Sequence, residues 1–148
     1  IQIVTAFEQG AQAQSLLSFD SALERHGVVE IHGTEGTIVI PDPNMFTGRI
    51  AYVKPLGVLR DGMSFEQEWI EISHEDIEIG RGLGALDMVR AIAAGRPHVA
   101  SGELGFHVLD VLLSAQESAR TGRTVAVEST VGPVPLLPEG FDPFASTL

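Results

Sequence analysis

Apolar residues follow a helical repeat in the second half of the chain. The first stripe consists of Ala85, Met88, Val89, Ile92 and Ala93. This i, i+3, i+4, i+7, i+8 spacing is typical of one face of an amphipathic helix. Gly95 then favours a left-handed C-terminal cap, and Pro97 blocks any continuation. The pattern therefore predicts a first helix that ends before Gly95.

A second apolar stripe follows the turn and predicts a second helix. Ser101 is suited to cap its start, and Glu103 then faces the positive end of the helix dipole. Gly122 marks its end. Val125 and Val127 alternate with polar neighbours, which predicts a short strand after this helix. We expect both stripes to be packing surface; the second consists of Leu104, Val108, Val111, Leu112, Ala115 and Ala119.

The first half of the chain alternates apolar and polar residues as strands do. The candidate strands are residues 1–7, 13–19, 28–31, 37–40, 50–53 and 69–72, with a turn at 60–62. The first four are expected to pair as two hairpins, because glycines stand in both connections. Strands that run together, with helices segregated from them, predict an α+β fold. We expect an open-faced, largely antiparallel sheet with two helices packed on one face.

The end of the chain differs in composition. Prolines at 133, 135, 138 and 143 exclude a helix after Gly132 and predict an extended surface segment. We therefore divide the chain into a sheet-plus-helices domain, residues 1–131, and a proline-rich tail, residues 132–148.

Composition and charge narrow the possible partners. The chain has 148 residues, of which 44% are hydrophobic and 20% charged, as in one folded domain. A net charge of −11 argues against nucleic acid and anionic membrane surfaces as partners. The absence of cysteine excludes disulfides, thiolate zinc sites and a cysteine nucleophile. No apolar run approaches the roughly 20 residues of a bilayer span. The first residues lack the basic stretch that begins a signal peptide, and we expect a cytoplasmic location.

An ordered series of short motifs covers most of the chain, and its order is more specific than any one motif. The motifs are Phe19-Asp20, Glu30-Ile31, Gly33-Thr34-Glu35-Gly36-Thr37, Arg81-Gly82-x-Gly84 leading into Asp87-Met88, Gly95-Arg96-Pro97-His98, Ala100-Ser101-Gly102-Glu103, His107-Val108-Leu109-Asp110 and Glu117-Ser118-Ala119. The series resembles the C-terminal domain of the Gfo/Idh/MocA oxidoreductases. The resemblance implies an NAD(P)-dependent dehydrogenase that acts on a sugar, inositol or related polyol.

The resemblance also implies two partners. In that family an N-terminal Rossmann domain precedes the sheet domain, and the exposed sheet face usually builds a homo-oligomer. This chain opens within a predicted strand, so we expect it to be cut from a longer protein. An exposed face that carries Phe7, Leu17, Phe19 or Ile31 would be too apolar for a soluble monomer and would predict an interface.

The dinucleotide fingerprint and the family's catalytic residues have no counterpart in this chain. The segment Gly82-Leu83-Gly84-Ala85-Leu86-Asp87 has Asp where the third fingerprint glycine would stand, and no βαβ unit follows it. It therefore reads as a loop that enters a helix. Lys54 lies in a strand–turn context, unlike the family's catalytic lysine, and the glycine-rich stretch with the catalytic Asp and His is missing. We expect no cofactor and no catalysis from this chain alone; NAD or NADP is implied for the full-length protein.

Arg81 is the single candidate substrate-binding residue. It stands beside flexible glycines at the entry to the first helix, from where a guanidinium can reach a polyol hydroxyl or a cofactor phosphate of the partner domain. A structural salt bridge is the alternative.

The remaining chemistry-bearing residues favour structural roles. Glu103, His107 and Asp110 share one side of the second helix at a spacing that suits a metal, but a hydrogen-bonded structural histidine is the favoured interpretation. No nucleophile elbow surrounds Ser101. Acidic residues at 66, 68, 75, 76 and 78 are expected to be solvated strand edges. The alternative to a dehydrogenase domain is a non-enzymatic, self-associating or ligand-binding sheet module.

Overall fold

The computed structural model describes residues 1–22, 29–46, 48–54, 68–72 and 80–145. Every strand in this part of the chain pairs in antiparallel fashion, which confirms the α+β class. The turn predicted at 60–62 lies outside the described residues. The elements are β1 Gln2–Ala6, β2 Gln12–Leu16, β3 Val29–Gly33, β4 Gly36–Ile40, β5 Ile50–Val53, β6 Trp69–Ile72, α1 Leu83–Ala94 and α2 Gly102–Thr121.

The chain divides into two compact units. One consists of Ile1–Ser18 together with Gly80–Leu148, and the other of Phe19–Ile79. The first, which we call the helical unit, contains the two-stranded sheet β1-β2 and both helices. The second, the sheet unit, contains the four-stranded sheet in the order β3-β4-β5-β6. The predicted boundary at residue 131 stays a prediction.

Both predicted hairpins form. In the second, the register brings Gly33 opposite Gly36. Gly36 has a φ of 152°, and a Cβ at this position would collide with the ring of Tyr52 on β5. The Tyr52 hydroxyl donates a hydrogen bond to the carbonyl of Glu35 in the turn. Glycine at 36 is therefore required for the close approach of the turn to β5.

The helix ends follow the predicted caps. Gly95 and Gly122 adopt the left-handed conformation, with φ of 64° and 68°. The Ser101 Oγ accepts a hydrogen bond from the amide of Leu104 at 3.2 Å, so Ser101 is the N-cap of α2. Neither of the two described helices combines the length and the apolar composition that a bilayer span requires.

The predicted packing face of α1 is wrong. Met88, Val89 and Ile92 are exposed, whereas Asp87 and Ala91 are the buried residues of this helix. The reason is a set of hydrogen bonds. The Asp87 carboxylate is hydrogen-bonded to the segment that follows the helix, so the side of the helix that carries Asp87 faces inward. In α2 no residue is fully buried, and of its predicted stripe only Leu104, Val111 and Ala115 are half-buried.

The predicted strand at Val125 and Val127 is also absent, since residues 124–138 form neither strand nor helix. The alternation itself is real, because both valines are half-buried and their neighbours are exposed. However, the backbone amides of Glu128 and Ser129 donate to the Asp110 carboxylate, at 3.1 and 2.8 Å. A side chain of α2 therefore takes the place of a partner strand.

Candidate functional site

Arg81 lies in the turn that leads into α1. Its side chain is exposed and makes no hydrogen bond or ion pair with any other residue that the structure describes. Gly82, the N-cap, has a φ of 102° and offers no side chain to cap the helix, and the first turn carries no acidic residue. Arg81 therefore directly precedes a helix N-terminus that has no side-chain cap. This environment is suited to an anionic or hydroxyl-rich group.

Asp87 has a structural role. Its carboxylate is almost fully buried and accepts from the Arg96 guanidinium at 2.6 Å and from the Val99 amide at 2.8 Å. The Val99 amide is the largest influence that lowers the Asp87 pKa, and Arg96 adds to it against the opposing effect of burial. Asp87, which stands where the third fingerprint glycine would be, thus connects α1 to the turn before α2. The loop-into-helix interpretation of this segment is confirmed.

Glu103, His107 and Asp110 are each engaged within the fold. The Nδ1 of His107 lies 2.9 Å from the Ser129 hydroxyl, as expected of a structural histidine. The Ser129 amide is the main cause that lowers the pKa of Asp110. For Glu103, its own backbone amide and the Ser101 hydroxyl lower the pKa. Among the described residues no group of three His, Cys, Asp or Glu is arranged to hold a metal ion.

A shallow cavity of about 210 Å³ lies at the start of α2. One wall comes from the helix start and the turn before it, and the other from the proline-rich tail. Most of the lining side chains are apolar, so the cavity lacks convergent polar groups for a catalytic role. It is lined by Val99, Ser101, Glu103, Leu104, Val131, Gly132, Pro133, Val134 and Pro135.

Lys54 is paired with Glu68 at 3.2 Å, next to the ends of β5 and β6. Both side chains are exposed, so this ion pair contributes little to stability. His32 contacts Glu30 at 3.3 Å on the surface of β3. The candidates His26, His74, Glu66, Glu75, Asp76 and Glu78 lie outside the described residues.

Eight apolar residues share one face of the four-stranded sheet. The register places Ile31, Ile38, Tyr52 and Ile70 in one row across all four strands. The second row consists of Val29, Ile40, Ile50 and Ile72. Val29, Ile31, Ile70 and Ile72, on the two edge strands, retain 38%, 54%, 37% and 43% of their exposure, and the other four residues are half-buried. We call these eight residues the apolar sheet face.

Sequence reasoning named only Ile31 of this face. Phe7 and Leu17 are exposed as well, at 50% and 53%, but they belong to the helical unit. Phe19 is fully exposed and lies outside the strands. The missed signal is an apolar pair at positions i and i+2 in each of the four strands, such as Ile38 and Ile40. Pairing the strands in register converts these four pairs into one surface.

Comparison of the chain with protein-family models, with curated proteins and with solved structures gives no match. The resemblance to the Gfo/Idh/MocA domain thus stays a prediction that rests on the motifs alone.

Replacement of Asp87 by Asn tests the structural role of the carboxylate. We expect D87N to lower the free energy of unfolding by about 3 kcal/mol at pH 7, because Arg96 and the Val99 amide lose a buried anionic acceptor. Urea unfolding followed by circular dichroism measures this. Glu117→Gln is the matched control: among the described residues the Glu117 carboxylate pairs with the exposed Arg120 on α2, and we expect its loss to change stability far less than D87N does.

The difference in stability between wild type and D87N should depend on pH. The pKa of Asp87 is lowered in the folded state from its ordinary 3.8, so its contribution is complete above that pH and is lost as the pH falls through the lower folded-state pKa. The stability difference between wild type and D87N should therefore shrink in acid. A difference that stays constant down to pH 2 would contradict this role.

Proposed function

We propose that this chain is the C-terminal domain of an NAD(P)-dependent dehydrogenase that acts on a sugar, inositol or related polyol. In this proposal the domain supplies one wall of the substrate cleft and the homo-oligomer interface. The hydride transfer belongs to a Rossmann domain elsewhere in the full-length protein, in the cytoplasm. NAD or NADP, when bound there, accepts or donates the hydride. The support for this assignment is the ordered series of motifs, together with an antiparallel α+β fold of the expected class.

The apolar sheet face is the observation that carries the interface part of the proposal. Eight apolar side chains occupy two complete rows of the sheet, without a charged residue among them. Soluble proteins rarely leave such a contiguous surface in water. A second copy of the same face is self-complementary under a two-fold axis, and sheets stack readily at about 10 Å.

Arg81 carries the substrate-binding part of the proposal. Its exposed guanidinium can donate several hydrogen bonds in a plane, which suits adjacent hydroxyls of a polyol or a phosphate oxygen. Because its neighbours Gly80, Gly82 and Gly84 have open space around them, a ligand can approach the backbone closely. In the full-length protein Arg81 would bind and orient the substrate and take no part in proton or hydride transfer.

The alternative is a sheet module that self-associates or binds a ligand and has no enzymatic partner domain. The apolar sheet face supports this function equally well. The presence or absence of a Rossmann domain in the same reading frame separates the two.

A lysine on the apolar sheet face should prevent self-association. We expect wild type to sediment as a dimer or larger species and Ile31→Lys as a monomer, because pairing would bury the new charge. His32→Lys is the matched control: it adds the same side chain to the same strand on the opposite face, and it should associate like wild type. Sedimentation velocity over a concentration series distinguishes these species. A monomeric wild type at every concentration, or association of I31K equal to wild type, would refute the interface.

The dehydrogenase assignment is tested on the complete reading frame that encodes this chain. We expect a G-x-G-x-x-G fingerprint upstream and NAD(P)-dependent oxidation of a sugar or polyol. Arg81→Met should raise KM about tenfold or more and change kcat little, because the lost hydrogen bonds are made to bound substrate. Arg120→Met is the control, since Arg120 pairs only with Glu117 on the surface of α2. A reading frame without the fingerprint favours the sheet module, and an unchanged KM in R81M excludes the role of Arg81.

A further inference from the structure

The end of the described chain crosses from α2 to α1 as an irregular segment, without helix or strand, that contains turns at 139–140 and 143–144. We call residues 131–145 the strap. Its beginning follows Ser129, whose amide donates to Asp110 of α2 at 2.8 Å. Its far end reaches Arg90 of α1, which donates from its two terminal nitrogens to the carbonyls of Asp142 and Ala145, at 2.6 and 2.7 Å. The strap is thus fastened near both ends by charged side chains.

The guanidinium of Arg90 makes several contacts with the strap at once. The planar guanidinium bridges two backbone carbonyls three residues apart, and it also lies over the ring of Phe141, 5.1 Å from the centroid. Charge-assisted bonds and a cation–π contact therefore act at a single side chain. The Nε of Arg90 is buried and has no partner among the described residues, so the attachment is not fully optimised.

No large apolar side chain of the strap is fully buried. Val134, Leu136, Leu137 and Phe144 remain 45%, 89%, 37% and 73% exposed, and Val131 and Phe141 are half-buried. Prolines and the lack of a strand partner leave the strap without a backbone ladder. A segment held by a few polar contacts, with no large apolar side chain fully buried, can detach without disrupting a core.

The strap also forms one wall of the cavity at the start of α2. Residues 131–135 line it opposite Val99 and Leu104, between the attachment at Asp110 and the attachment at Arg90. Movement of the strap therefore changes the access of solvent and ligands to the start of α2. Gly132, with open space around it, lies next to the fixed end and can absorb the change in backbone direction.

We propose that the strap is a releasable lid on the cavity at the start of α2, and that Arg90 is the latch that holds it closed. This device is independent of the proposed dehydrogenase function, because none of its contacts involves Arg81 or the apolar sheet face.

The mobility of a spin label on the strap tests the latch. Because the chain has no cysteine, Glu139→Cys gives a single labelling site on the exposed strap. In the full chain, Arg90→Met should increase the population of the mobile spectral component at least tenfold, since two charge-assisted bonds are lost. Arg120→Met, which removes an equal charge from a surface pair on α2, should leave the spectrum as in wild type.

A second label reports on the helices themselves. Gln116→Cys lies on the exposed side of α2 and should keep the same spectrum in wild type and R90M. Equal mobility at position 139 in wild type and R90M overturns the proposal. Mobilisation of the label at 116 together with that at 139 also overturns it, because Arg90 would then support the helices rather than the strap.

A variant on the strap side covers the case in which R90M fails to fold. Phe141→Leu keeps Arg90 in place and removes only the ring beneath the guanidinium. It should increase the mobile component at position 139, by less than R90M does. A spectrum identical to that of wild type in F141L counts against the latch whether or not R90M can be prepared.

Discussion

Hydrogen bonds between charged side chains and the backbone fasten the two helices to the segments that follow them. Each helix is followed by an extended segment that lacks a partner strand, so backbone polar groups of that segment must find partners elsewhere. Asp87 accepts from the Val99 amide, Asp110 accepts from the Ser129 amide, and Arg90 donates to two carbonyls of the strap. Ala91 is the only apolar residue of the described helices that is fully buried. Polar anchors, and not an apolar core, therefore determine which helix faces turn inward.

The sheet unit has a different arrangement. The backbone groups of its four strands pair with one another in the ladder, and Ala51 and Val53 are its described buried apolar residues. These two lie on the side opposite the apolar sheet face, where the contact between the side chains of Glu30 and His32 also lies. One side of the sheet is thus polar at its edge, and the other presents two apolar rows. This asymmetry between the two sides is the physical basis for proposing that the sheet completes its burial against another copy.

Local signals predicted most of the elements. Both hairpins, both helices and the caps at Ser101, Gly95 and Gly122 follow from residues close in sequence, since turns and caps need specific side chains or a left-handed backbone. The prediction of the packing face of α1 failed because that face is set by Asp87, which accepts from the Val99 amide in the turn after the helix. The prediction of a strand at Val125 failed because alternating burial shows only that one side of the segment is covered. Here the segment lies beside α2, whose Asp110 accepts from the Ser129 amide, and has no partner strand.

The candidate site was predictable only in part. The exposure of Arg81 agrees with its position beside glycines, but its function depends on a ligand or domain that local sequence does not specify. The apolar sheet face needed the strand register, because residues such as Ile38 and Tyr52 become neighbours only after pairing. The role of Arg90 could not be predicted from the sequence, because its partners are backbone carbonyls far along the chain. Asp142, for example, lies 52 residues after Arg90.

The central claim is that association through the apolar sheet face completes the burial of this protein. The most direct measurement is the midpoint of thermal unfolding as a function of protein concentration, because a partner that binds only the folded chain stabilises it by mass action. If the sheet faces pair, the midpoint will rise steadily over a hundredfold increase in concentration. A midpoint that does not change over this range would contradict the claim.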